Sequence, residues 1–200
     1  MTDVLDRYAR LLATVDDWFG RVASRFPAKV ACRRGCSECC HGLFDVTPLD
    51  AALLEAGLAA LPEAERAAIR ERARAVLEKA VAIEPRLGGR PDLAGLSDGT
   101  IDALCDAAGA VPCPVLDPDG ACLLYAHRPR VCRLNGLPVV DLSGRVLADE
   151  GCPLNALRAG DAPPAVLGLD VRAMRREEER LLKKQGRGGA GRFIAQVFGG

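Results

Sequence analysis

The sequence predicts a mainly α fold in which helices surround an irregular, cysteine-rich core with one small β-hairpin. Three observations predict it. Apolar residues recur at helical spacing over long stretches, with no alternation of strands and helices. Nine cysteines occur in 200 residues, and Cys32, Cys36, Cys39 and Cys40 crowd into one short run. Proline and glycine flank the cysteines, which keeps those stretches out of regular structure.

The elements follow in order. Residues 3–26 carry one apolar stripe: Val4, Leu5, Tyr8, Leu11, Leu12, Val15, Trp18, Phe19, Val22 and Phe26. Thr2 or Asp3 caps this helix and Pro27 ends it. Its polar face carries both charge signs, which favours packing over a core rather than a membrane surface. Thr47-Pro48 starts a second helix, with Asp50 placed for a capping box, running Leu49 to about Leu61. Pro62 opens a third, to about Ile83. Its Glu63, Glu65, Arg66, Arg70, Glu71, Arg72, Arg74, Glu78 and Lys79 are expected to form a solvated face. Residues 84–99, rich in Pro and Gly, form a loop. A short helix covers about Thr100 to Ala108, and Asp117-Pro118-Asp119-Gly120 makes a turn. Leu137 to Leu147 is expected to be the hairpin, turning at Ser143-Gly144 and delivering Cys152. Pro163-Pro164 sets off a last helix, about Ala165 to Gln185, ended by the glycine-rich run 186–189. The apolar tail Phe193–Phe198 is free to dock on the body or on a partner. The expected organisation is a single domain, 1–200. It comprises an N-terminal helix (1–27), a core (28–160) with a helical insertion at 47–100, and a C-terminal helix and tail (165–200).

Composition narrows the function classes. Hydrophobic content of 49% supports a core, and aromatics at 4% leave it to Leu, Val and Ala. Lys+Arg and Asp+Glu balance at 27 each, so no broad field attracts nucleic acid. No apolar run reaches the length of a membrane span, and the N-terminus lacks a basic-then-apolar signal. A cytoplasmic protein with neither membrane nor nucleic-acid partner is expected; a protein partner cannot be named.

The cysteines carry the chemistry. A thiolate is a soft anionic ligand suited to zinc and iron–sulfur clusters, and gaps of two or three residues let neighbours turn onto one ion. Cys32, Cys36 and Cys39 have that spacing, with Gly35 at a turn. Cys40 adjoins Cys39, so both reaching one ion is strained; Cys40 serves a second metal position, supports the first, or stays free. A downstream group, Cys113, Cys122, Cys132 and Cys152, is expected to converge with the first on one centre. Arg128 and Arg133 are placed to offset thiolate charge and donate to sulfur. Cys105 lies in an apolar run and reads as a small buried hydrophobe. An odd cysteine count in a reduced compartment argues against disulfides. His41 and His127 are secondary candidates, since the cysteines already supply ligands enough.

Residues 32–41 (Cys-Arg-Arg-Gly-Cys-Ser-Glu-Cys-Cys-His), Cys113-Pro114 with Leu116, Cys122 with Tyr125, Arg128-Pro129, Cys132-Arg133 and Cys152 resemble the YkgJ-type cysteine-cluster family, described as zinc- or iron-chelating. The resemblance covers roughly residues 30–158. It implies metal ligation by Cys32, Cys36, Cys39, Cys40, Cys113, Cys122, Cys132 and Cys152, and does not extend to Cys105. Some larger relatives resemble flagellin lysine methylases; this chain is short for that role, which is not carried over.

The expected function is a metal-binding protein holding an iron–sulfur cluster or zinc. The alternatives are an iron–sulfur enzyme for redox or group transfer, and a structural zinc module mediating protein contacts. The Cys-x3-Cys-x2-Cys spacing matches radical SAM enzymes, but Glu38 replaces their aromatic residue and the β/α barrel is missing. No catalytic residue is assigned.

Overall fold

The computed structural model describes residues 2–33, 35–149, 152–186 and 189–199, without the Thr2 side chain. Arg34 of the cysteine run, a cap from Thr2, and Arg187-Gly188 of the glycine-rich break lie outside the described residues. The protein is mainly α. Its helices are α1 (Thr2–Arg25), α2 (Pro48–Ala59), α3 (Glu63–Ile83), α4 (Asp98–Ala108), α5 (Arg130–Leu134), α6 (Pro164–Leu167), α7 (Val171–Gln185) and α8 (Ile194–Gly199). The strands are β1 (Asp45–Val46), β2 (Val139–Asp141), β3 (Val146–Ala148), β4 (Gly168–Leu169) and β5 (Arg192–Phe193). The chain divides into two compact units, the first Met1–Cys39 with Arg130–Gly186, the second Cys40–Pro129 with Arg187–Gly200.

In the first unit, α1 lays its stripe inward: Tyr8, Leu12, Val15, Trp18 and Val22 are buried. Val15, Trp18 and Val22 join Leu137, Val139, Val140, Leu157, Leu167, Leu169 and Met174 in one core. Trp18 Nε1 donates to the Leu167 carbonyl at 2.8 Å, so the indole fixes α1 against the α6 turn. The expected hairpin forms, β2 pairing antiparallel with β3. Its other edge pairs parallel with β4, which the sequence did not announce. That pairing corrects the last helix. Gly168-Leu169 extends along β2, and a new helix starts at Asp170, whose side chain accepts from the Ala173 amide at 2.8 Å. Gly168 cannot carry a side chain there, because a Cβ would sit 2.3 Å from the Pro164 carbonyl oxygen.

In the second unit, α2 has the expected capping box between Thr47 and Asp50. α3 packs against α8 and α4. Phe193 is fully buried and clusters with Leu43, Val76, Ala80, Leu87, Leu104 and Val111. The apolar tail therefore docks on its own unit: β5 pairs antiparallel with β1, and α8 lies on α3. The loop after α3 closes over this core through Leu87 and Leu93, both buried, with a 3-10 turn at Pro85–Leu87; it ends at Ser97, whose side chain caps α4, so Asp98 and Gly99, expected in the loop, are helical.

Candidate metal centre

All nine cysteines are free thiols. The boundary between the units falls between Cys39 and Cys40, and again between Pro129 and Arg130. Cys32, Cys36, Cys39, Cys132 and Cys152 belong to the first unit; Cys40, Cys105, Cys113 and Cys122 belong to the second. The units thus divide the cysteines differently from the two groups in the sequence.

In the first unit, Gly35 takes φ 83° and the Cys36 amide donates to the Arg33 carbonyl at 3.0 Å, making the turn expected between Cys32 and Cys36. The chain from Cys152 returns against this turn. The Ala156 amide donates to Lys29 O at 2.8 Å, and the Ala31 amide donates to Asn155 Oδ1 at 2.7 Å. Asn155 Nδ2 in turn donates to Cys32 Sγ at 3.3 Å and to the Gly136 carbonyl. Burial pushes the Cys32 thiol up; the Asn155 hydrogen bond opposes this, and Cys152, Cys36 and Cys39 push it further up through charge repulsion. A thiolate at Cys32 is thus disfavoured without a cation beside it. Gly136, at φ 104°, leaves the space: a Cβ there would stand 3.0 Å from Cys32 Sγ. Cys132 lies on α5 in the same unit. Arg133, expected beside sulfur, forms an ion pair with Asp16.

In the second unit, isolated backbone bridges tie the Cys40 segment to the Cys113 segment, and the Cys113 segment to Cys122. The Cys113 amide donates to Cys40 O at 2.8 Å, and His41 bridges Pro112. Leu116 bridges Cys122, and the Leu123 amide donates to Val115 O at 3.0 Å. The intervening turn is the expected one. Asp117 Oδ1 accepts from the Ala121 amide at 2.7 Å, and Gly120 takes φ 79°. Burial pushes Cys113 up to about 11 and also raises Cys122. Each has an opposing backbone hydrogen bond from the residue two positions on, Val115 and Leu124 respectively. Arg128 lies over the Tyr125 ring at 3.9 Å and favours the Cys122 thiolate. Arg72 does the same for Cys113. This corrects the solvated-face expectation for α3 at one position: Arg72 is half-buried and its Nε donates to Pro114 O at 2.8 Å.

His127 packs against Gly57 of α2, where a Cβ would come within 2.7 Å of the imidazole Cγ. Cys105 is half-buried on α4 and its thiol donates to Leu43 O at 3.5 Å, a packing role as expected. Asn155 was missed by sequence reasoning. Its only sequence signal was its place three residues after Cys152, where its amide closes a turn onto Cys152 O at 2.9 Å. Among the described residues, no three Cys, His, Asp or Glu side chains are already gathered as a metal cage.

Soft thiols with hydrogen-bond donors aimed at sulfur are the donor set of a zinc or iron chelator, which defines the class of protein. The family model CxxCxxCC, "Putative zinc- or iron-chelating domain", matches residues 31–153, and the chain belongs to that family. No curated protein and no solved structure matches it. Among the described residues, no helix is long and apolar enough to cross a membrane.

Proposed function

We propose that this protein chelates metal through two thiolate sets, one within each unit, and that the first set holds an iron–sulfur cluster. The carrying observation is the return of the chain after Cys152 onto the Cys32 turn, with an Asn155 N–H already on the Cys32 sulfur. Four cysteines are the complement of a cluster, and hydrogen bonds to sulfur are what a protein uses to set its potential. Cys132 is the additional thiol of that unit, available as an alternate ligand. Cys40, Cys113 and Cys122 form the second set. Loading has to draw the neighbouring thiols around a common point and remove their protons. A cluster would supply electron transfer or Lewis acidity; Cys32, Cys36, Cys39 and Cys152 would hold it, Asn155 donates to the Cys32 sulfur, and the packing around buried Cys152 keeps water from that thiol.

Zinc is the second reading, favoured by the amide-to-sulfur bonds from Val115 and Leu124, which suit a compact zinc loop. Anaerobic purification with iron, zinc and acid-labile sulfide analysis separates the two. Iron with matching sulfide supports the cluster. Colourless protein with stoichiometric zinc, and no iron after anaerobic reconstitution, leaves a zinc chelator.

A further inference from the structure

We propose that Arg72 is the counter-charge of the second thiolate set, poised to donate from Nη2 to the Cys113 sulfur once that sulfur is a metal-bound thiolate. This rests on the metal-binding reading of Cys113. Two observations carry it. Arg72 Nε is fixed on Pro114 O at 2.8 Å, which anchors the guanidinium at the residue that follows Cys113 in the chain. Its Nη2 is buried and has no hydrogen-bond partner. A guanidinium N–H buried without an acceptor is costly. In the metal-free protein the Cys113 thiol, buried and one residue from that anchor, is a weak acceptor. Metal binding turns it into an anion, and the idle donor gains a charge-assisted acceptor. Three thiolates on a divalent cation leave one net negative charge in a buried site, which Arg72 would neutralise. α3 thus serves the site as well as the helical core: Ile69, Ala73, Val76 and Ala80 point into the unit, while Arg72 reaches the cysteine loop.

The test uses the full chain under reductant. Zinc is titrated against N-ethylmaleimide labelling, and mass spectrometry reads protection at each cysteine. Arg72→Gln keeps a donor and removes the charge; Arg72→Lys keeps the charge; both residues are good helix formers. The expected result is that Arg72→Gln weakens zinc protection of Cys113 and Cys122 about tenfold, the effect of losing the positive charge beside a buried thiolate. Cys32 and Cys152 act as internal controls and keep their midpoints, and Arg72→Lys recovers part of the loss. Unchanged Cys113 and Cys122 midpoints overturn the proposal. So does a shift of all cysteines together, or a Lys variant no better than Gln. If the wild-type thiols stay unprotected at saturating zinc while iron reconstitution also leaves them open, the metal reading itself fails.

Discussion

Replacing Asn155 by Ala tests the first unit where its chemistry and packing meet. Asn155 is 2% exposed and serves three groups: the Ala31 amide, the Gly136 carbonyl and the Cys32 sulfur. Alanine removes the acceptor from part-buried Ala31 and the donor from buried Gly136, leaving two backbone groups without their partner. Each such loss costs about 1–3 kcal/mol, so the metal-free protein should lose about 2–6 kcal/mol in urea unfolding followed by circular dichroism. The Cys32 bond is weak while the sulfur is a thiol and stronger once it is a thiolate. Metal affinity at Cys32 and Cys152 should therefore fall further, about tenfold, measured by competition with a chromogenic chelator. Asn155→Asp keeps the acceptor for Ala31 but sets a carboxylate against Cys32, so it should bind metal worse than Ala. A variant with wild-type stability and wild-type affinity would refute the claim that Asn155 organises this site. A stability loss with unchanged affinity would refute its role toward sulfur alone.

Other outcomes follow from the same geometry. Gly57→Ala should lower the melting temperature, because about 1–3 kcal/mol of overpacking against His127 exceeds the gain of about 1 kcal/mol in helix propensity. Arg130→Ala should destabilise by about 3 kcal/mol, since buried Glu178 would lose the guanidinium 3.3 Å away and keep the Tyr8 hydroxyl; equilibrium unfolding reads it. The raised Cys113 makes stability fall with alkali. Folding favours its neutral thiol, so that contribution is intact below pH 9.0 and lost as pH rises towards 11. The metal-free melting temperature should drop across that window in the wild type and less in Cys113→Ala. The same protonated thiols must release protons on zinc uptake, so apparent affinity should rise between pH 6 and 8, checked by titration in buffers of different ionisation enthalpy.

Much of the fold was legible because it is locally encoded. The α1 stripe, the Thr47 capping box, the Asp117–Gly120 turn and the 137–147 hairpin each rest on neighbouring residues. The cysteines announced themselves by spacing. Their assignment to the two units did not, because the Cys40 pairing with Cys113 is a long-range one that no local spacing encodes. Asn155 was invisible for a similar reason: a polar residue satisfying Ala31 and Gly136 looks like any loop asparagine. Arg72 was hidden inside a charge run most of whose members are exposed. The break before α7 depends on β4 finding β2, a contact made outside the segment itself.

X-ray absorption on the metal-loaded chain tests the central claim most directly, because it reads the atoms bound to the metal. The account predicts a first shell of sulfur at about 2.3 Å, with an iron–iron vector where a cluster is held. It also predicts that Cys32→Ser and Cys113→Ser each change that shell while Cys105→Ser does not. A first shell made of oxygen and nitrogen, or a shell untouched by either substitution, would contradict it.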